Sequence, residues 1–216
     1  GGVALAGIAN GVQQTFGSDT RWRTAGGGAL GINMDQSFSS FDGNRHDAIR
    51  YDTPKFGPLT AAVSVADNQR WNFGVRLAGA FSGARYQLRG GYEENTNAAA
   101  NDQWGISASV LFSQGTSLTA AYAEREVQNA LTGAELRDAD TFYIKLGHQW
   151  GNNSVAIDYG QTDDLAAAND EHSTWGIGIA HNIPGPNVQV YAGYRNHDLD
   201  RPGQNVEDID TFNIGA

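Results

Sequence analysis

Apolar and polar residues alternate with a period of two through most of this chain, and no other feature restricts its fold as strongly. Successive side chains of a β-strand point to opposite faces, so such a run is a strand with two unlike faces. From Arg70 to Phe81 the odd positions hold Trp71, Phe73, Val75, Leu77, Gly79 and Phe81, while the even ones include Asn72, Gly74, Arg76 and Ala78. Ala84–Tyr92 puts Tyr86, Leu88 and Tyr92 on one face and Arg85, Gln87 and Arg89 on the other. The pattern recurs in His46–Asp52, Leu59–Asp67, Gln103–Phe112, Leu118–Arg125, Thr141–Trp150, Ser154–Gly160, Thr174–His181, Val188–Arg195 and Thr211–Ala216. That gives about eleven strands of roughly the length a tilted strand needs to cross a bilayer. Helical spacing is poor throughout, so the fold class is all-β.

Tight turns alternate with longer polar connections. Pro54–Pro58, Ser82–Gly83, Ser113–Gly115, Gly151–Asn153 and Pro184–Asn187 are short; Glu93–Asp102, Glu126–Asp138, Thr162–Glu171 and Asn196–Asp208 are long. Asp67–Gln69 belongs to the second class and is short. This rhythm belongs to an antiparallel up-and-down meander whose ends face different environments. With the short turns at the lower rim, Trp71, Phe73, Tyr92, Trp104, Tyr122, Phe142, Tyr159, Trp175, Tyr194 and Phe212 fall near the upper strand ends. Tyr51, Phe81, Tyr86, Phe112 and Trp150 fall near the lower ends, all on the apolar face. Aliphatic residues such as Val75, Ile106, Ile144 and Ile177 lie between. Amphipathic rings settle at headgroup level, so two girdles around an aliphatic band are what a bilayer selects. A soluble sandwich would bury its aromatics mid-strand. The expectation is one domain over residues 1–216, a transmembrane β-barrel of the bacterial outer membrane. A mean hydropathy of -0.44 agrees with it, because half of each strand faces water. The net charge of -10 disfavours nucleic acid as a partner, and the absence of Cys fits export.

The stretch from Asn44 to Pro58, NRHDAIRYDTPKFGP, running on into Leu59–Asp67, resembles a segment of the general porin family of Gram-negative bacteria. There a strand reads N-x-I-x-Y-x-[ST]-P-x-F-G and turns at the periplasm. The resemblance implies a sixteen-stranded barrel, usually a homotrimer, forming a water-filled channel for passive diffusion of ions and small hydrophilic solutes. It also implies a constriction loop folded into the lumen between strands five and six. Asn10–Gly43, long, Gly-rich and poor in alternation, stands where that loop would be. With the His46 segment as the sixth strand, Thr211–Ala216 becomes the sixteenth and Gly2–Ala9 the end of the fifth, so about twelve strands are represented. The chain is therefore read as incomplete at both ends, the alternative being a barrel of about twelve strands, since an open sheet in lipid leaves costly unpaired edges.

Parity also assigns the inner face: Arg50, Arg76, Arg85, Arg89, Arg125, Lys145 and Arg195 point into the lumen. An arginine facing lipid at the midplane would cost about 2–4 kcal/mol. These cations are either a solvated lining or, for Arg50, Arg76, Arg85, Arg89 and Lys145, the basic wall of a constriction. Its acidic counterpart would come from Asp19, Asp35 and Asp42 of the loop, a layout the resemblance implies; Arg21 and Arg23 are alternative contributors to the basic side. Carboxylates of the outer loops (Glu93, Glu94, Asp163, Asp164, Asp170, Glu171, Asp198, Asp200, Glu207, Asp208) read as a solubilising surface. The alternative is Ca2+ bridging to lipopolysaccharide phosphates. Acidic loops and basic wall oppose one another, which leaves the sign of selectivity open.

Two other readings stay in view. A non-channel barrel, acting as an anchor or a sheath for a partner, would carry a small, uncharged lumen face rather than this one. A lipid hydrolase needs a Ser, a His and an orienting group within hydrogen-bond reach. His148 and His181 lie on the lipid face without a Ser two residues away, and His172 neighbours Ser173 and Thr174 at a loop rim. No His or Cys spacing suggests a metal site. Neither catalysis nor a resident cofactor is expected.

Overall fold

The computed structural model describes residues 20–39, 41, 47–66, 70–95, 102–129, 131–185 and 188–216. Gly2–Ala9, Asp19, Asp42, His46 and Asp67–Gln69, all used in the sequence reading, lie outside the described residues. Segment 20–41 forms a small hairpin of β1 (Arg21–Arg23) and β2 (Ala29–Asn33), followed by a one-turn helix, α1 (Met34–Ser37). Every alternating segment then becomes a strand: β3 (Ala48–Asp52), β4 (Leu59–Ala66), β5 (Arg70–Phe81), β6 (Ala84–Asn95), β7 (Gln103–Phe112), β8 (Thr116–Gln128), β9 (Glu135–Trp150), β10 (Asn153–Asp163), β11 (Glu171–Ile183), β12 (Val188–Asp200) and β13 (Ile209–Gly215). They form one antiparallel sheet in chain order, β3 to β13, each strand bonded to its sequence neighbours. The short turns are tight for local reasons. Ser82 (φ 47°) and Gly83 (φ 80°) both take positive φ, as a two-residue hairpin turn matching strand twist requires. At Gly115 (φ 90°) a Cβ would sit 2.1 Å from the Gln149 carbonyl oxygen, so only glycine closes the β7–β8 turn.

The upper connections depart from expectation. The ends of the segments assigned to long loops continue as strands: β8 and β9 stay paired through Val127↔Arg137, and β11 and β12 through Glu171↔Asp200. Polar composition suggested loops, but above the membrane a hairpin needs only paired backbone, and the docked segment 20–41 covers the inner face of these two.

The hairpin–helix segment lies on the face opposite the aromatics, which makes that face the inner one. Phe38 and Phe41 pack on Ala121, Ala123, Ala139 and Tyr143 of β8 and β9. Trp22 and Met34 pack on Leu199 of β12, flanked by Leu30, Ile32, Val206 and Ile209. Backbone bonds from Ala25 N–H to Asn205 O and from Glu207 N–H to Arg23 O, both within 2.9 Å, tie the hairpin to the β12–β13 connection. A capping box closes α1: Gln36 accepts from the Asn33 N–H at 2.9 Å.

Candidate pore lining

Cross-strand register carries the inner face from strand to strand. One rung runs Thr60–Arg76–Arg89–Ser107–Ala121–Tyr143–Gly160–Thr174–His197 across β4 to β12. Its first part is basic. Its second part carries no cation, and there the hairpin–helix segment docks: a Cβ on Gly160 would lie 2.9 Å from Phe38 Cζ, so the bare glycine makes the seat for that ring.

All seven cations that parity assigned inward are on this face. Arg76 and Arg89 are direct cross-strand partners, a juxtaposition of like charges that costs stability and persists only where water or function sustains it. Arg76 donates from Nε and Nη2 to Gln87 Oε1 (3.2 and 3.0 Å) and is exposed. Arg85 is exposed and meets no acid among the described residues. Arg50 is bound by Asp52 at 2.7 Å, which offsets its charge. Arg125 is set apart from solvent, donating to Gln103 Oε1 at 2.9 Å and lying 4.4 Å over the Phe41 ring. Arg195 crosses the bare Gly176 to reach Asp158 at 2.6 Å, a buried ion pair on the opposite wall. Lys145 stands directly opposite Asp158 on β9. Asp35, in the first turn of α1, is exposed and forms no ion pair among the described residues.

The sequence reading missed Asp158 and Asp52 as lumen carboxylates, although both share the parity of the arginines. The outer acids lie on the other face. Glu94, Glu124, Asp140, Asp163, Glu171, Asp198 and Asp210 stand one or two alternations above Tyr92, Tyr122, Phe142, Tyr159, Trp175, Tyr194 and Phe212, on the outward face. Girdle rings donate to them: Tyr194 Oη to Asp210 at 2.6 Å, Trp104 Nε1 to Glu124 at 3.4 Å, and Tyr92 Oη to Asp102 at 3.2 Å. These carboxylates therefore face away from the lumen and do not oppose the basic wall across it. Glu93 is different: it is buried on the inner face, 4.0 Å from Arg70.

A polar network fastens the docked segment. Trp22 Nε1 donates to Ser37 Oγ (2.9 Å), Ser37 Oγ lies 2.8 Å from His172 Nδ1, and His172 Nε2 lies 3.1 Å from His197 Nδ1. The Ser37–His172 distance is that of a nucleophile and its base. Both are buried under the Trp22 and Phe38 rings, with a second histidine where an orienting carboxylate would stand.

The comparisons agree with this geometry. A family model described as Gram-negative porin matches residues 1–202. No curated protein matches the sequence. Among solved structures, the chain is similar to the outer membrane channel DcaP of Acinetobacter baumannii (TM-score 0.60, 13% identity, 90% of this chain and 69% of that one). It is also similar to OccAB4 of Acinetobacter baumannii (TM-score 0.57, 10% identity, 82% and 55%). An anion-selective porin from Comamonas acidovorans has the same fold (TM-score 0.53, 15% identity, 76% and 54%). The chain thus spans between 54% and 69% of the length of these three. The sheet is that of a porin β-barrel in the outer membrane, and the chain belongs to the Gram-negative porin family.

Proposed function

We propose that this protein forms a water-filled outer-membrane channel for passive diffusion of ions and small hydrophilic solutes, with a preference for anions. The observation that carries this reading is the charge split between the two faces. Arg76 and Arg85 stand exposed on the lumen face with no carboxylate bound to them in any ion pair among the described residues, while Glu94, Glu124, Asp140 and Asp163 point outward. A basic wall in a narrow aqueous gap between low-dielectric walls raises the local concentration of anions. Segment 20–41 supports a constriction-loop role for Asn10–Gly43, because among the described residues it packs on the β8–β12 part of the inner face and not on Arg76 or Arg85. The solved anion-selective porin of the same fold fits this preference. An anchor or sheath would fill the lumen with another polypeptide, and Arg76 and Arg85, exposed among the described residues, disfavour it. The buried Ser37–His172 pair reads as a fastening, since no substrate reaches its hydroxyl.

The test is solute flux into liposomes holding the purified protein, with reversal potentials in a salt gradient. Flux of small sugars with an anion-directed potential supports the reading; absence of flux overturns it. Outward carboxylates directly above the girdle also support docking of lipopolysaccharide through divalent cations. Family membership also supports a homotrimer, and mass measurement in mild detergent tests it.

A further inference from the structure

The Ser37–His172–His197 network joins residues far apart in sequence, and its proton inventory has a consequence. Ser37 Oγ accepts from Trp22 and lies 3.1 Å from the Met34 carbonyl, to which its hydroxyl donates. The arrangement that uses every donor then has His172 Nδ1–H donating to Ser37 Oγ and His197 Nδ1–H donating to His172 Nε2. His197 Nε2 is left as a buried nitrogen with no partner among the described residues. In this arrangement both rings are neutral. A proton added at His197 Nε2 creates a buried N–H without an acceptor; one added to His172 Nε2 breaks the His–His bond. Either change buries a charge that is not paired, and such a charge is costly.

The surroundings offer no relief. On β12, Arg195 lies below His197 and is committed to Asp158 of β10. Asp170, preceding β11, is committed to Arg201, following β12. Thr162 of β10, Thr174 of β11 and the Tyr143 phenol of β9 are uncharged neighbours on the inner face. β13 contributes Ile209, opposite His197. Arg21, Arg23 and Asp35 of the docked segment are exposed, away from the buried rings. No carboxylate is hydrogen-bonded to either imidazole among the described residues.

We propose that this network is an acid-sensitive latch: segment 20–41 stays docked on the lumen wall while His172 and His197 are neutral, and proton uptake by the two rings favours its release. The histidines lie beyond the Trp175 and Tyr194 girdle, outside the membrane-spanning part of their strands. Burial, and then His197, pushes His172 down to about 3; burial, and then Arg195, pushes His197 down to about 4. Release lifts the burial, the larger cause for both rings, so both rise back toward the ordinary value of about 6.5. Docking is therefore at full strength above about pH 6.5, and it weakens steadily as pH falls below that value toward about 4. Each histidine shifts the equilibrium about tenfold per pH unit, so the pair shifts it about a hundredfold.

The experiment is hydrogen exchange of the intact protein in detergent, following residues 29–38 between pH 7.5 and 5.0, corrected for the intrinsic pH dependence of exchange. It reads the opening equilibrium even while the docked state dominates. Wild type should open about a hundredfold more per pH unit below about 6.5. His172→Asn, which keeps a side-chain group near the Nδ1 position, and His197→Asn should each reduce the slope to about tenfold, and the double variant should abolish it. Protection of β9 and β10 in the same data certifies that each variant is folded. A flat wild-type response, or a double variant with the wild-type slope, overturns the latch. The proposal rests on the channel reading only for its effect on current. If conductance fails to change with pH while the exchange slope is present, the latch stands and the loop's part in the channel falls.

Discussion

Removing the Arg76 guanidinium is the sharpest perturbation of the proposed basic wall. Arg76 is exposed, bonded only to Gln87 among the described residues, and faces Arg89 directly across the β5–β6 pair. Arg76→Ala therefore removes a cross-strand repulsion and should leave folding intact or gain about 0.2–1 kcal/mol. Its effect on permeation follows from Coulomb's law. An ion passing about 6 Å from the guanidinium in water feels about 0.7 kcal/mol, reduced to about 0.4 kcal/mol by screening at 0.1 M salt. That is about a twofold change in local anion concentration and the inverse for cations, so the anion-to-cation permeability ratio should fall about fourfold. Focusing by the low-dielectric walls makes this a lower bound.

Salt supplies the control. At 1 M the screening length is about 3 Å, the same interaction drops to about 0.1 kcal/mol, and the ratio should change by only about 1.4-fold. Reversal potentials in planar bilayers at both concentrations measure this directly. Arg76→Lys keeps the charge and should keep the selectivity, while Arg76→Ala should also raise single-channel conductance by widening the gap. An unchanged potential at 0.1 M would remove Arg76 from the constriction. A shift of equal size at both salt concentrations would show that shape, not charge, is responsible.

Three other perturbations bear on separate parts of the lining. Gly160→Val drives a side chain into the Phe38 ring, already 2.9 Å from an added Cβ; such overpacking costs about 1–3 kcal/mol, so exchange in residues 29–38 should rise about 5- to 150-fold with β9 and β10 still protected. Asp158→Ala strands the buried Arg195 guanidinium and should cost about 3–5 kcal/mol, seen as a lower temperature for heat-induced gel migration; Asp158→Asn with Arg195→Gln should recover part of the loss. If outward carboxylates hold lipopolysaccharide through divalent cations, chelation should release co-purified lipid, and Glu124→Gln with Asp140→Asn should weaken its return; lipid retention unaffected by chelation would refute that docking.

Period-two patterning made the sheet legible because each strand's two faces meet different solvents. The segment from Arg70 to Phe81 is the clearest case: its odd positions face lipid, its even positions the lumen, and the strand has the expected bounds. The upper hairpins were less legible. Between Arg125 and Thr141 the outer face is wet and the inner face is covered by Phe38 and Phe41 from a segment distant in sequence, so local residue type does not separate a paired strand from a loop, and β8 and β9 run on into what read as a loop. Even there the parity survived: Glu124 follows Tyr122 and Asp140 precedes Phe142 by two residues, so carrying the alternation past the girdles would have assigned the acids outward. The lumen cations were found by the same rule, but their partners were not. Asp158 meets Arg195 across two strands only because Gly176 leaves the path open, and Ser37 meets His172 only because a hairpin of low alternation turns back onto the wall. Contacts of that kind depend on tertiary approach, which local pattern does not encode.

The formal charge of -10 would send a reader of composition toward cation selectivity, and under the proposed anion preference the two-faced strand is why that inference fails. Charge on the outward face above the girdle meets headgroups and bulk water, and beyond a screening length of about 8–10 Å it contributes little to the lumen at physiological salt. Charge on the inward face acts in a confined gap where walls of low dielectric concentrate its field. A carboxylate at Glu124 and a guanidinium at Arg76 therefore do not cancel, although they cancel in the sum. What an ion meets on its path is set by side-chain parity before it is set by composition. Inward parity along β5 and β6 gives Arg76, Arg85 and Arg89 with Glu93 as the buried acid above them, beside Arg70. An acidic protein can in this way present a basic lumen, with the sign of its selectivity opposite to that of its net charge.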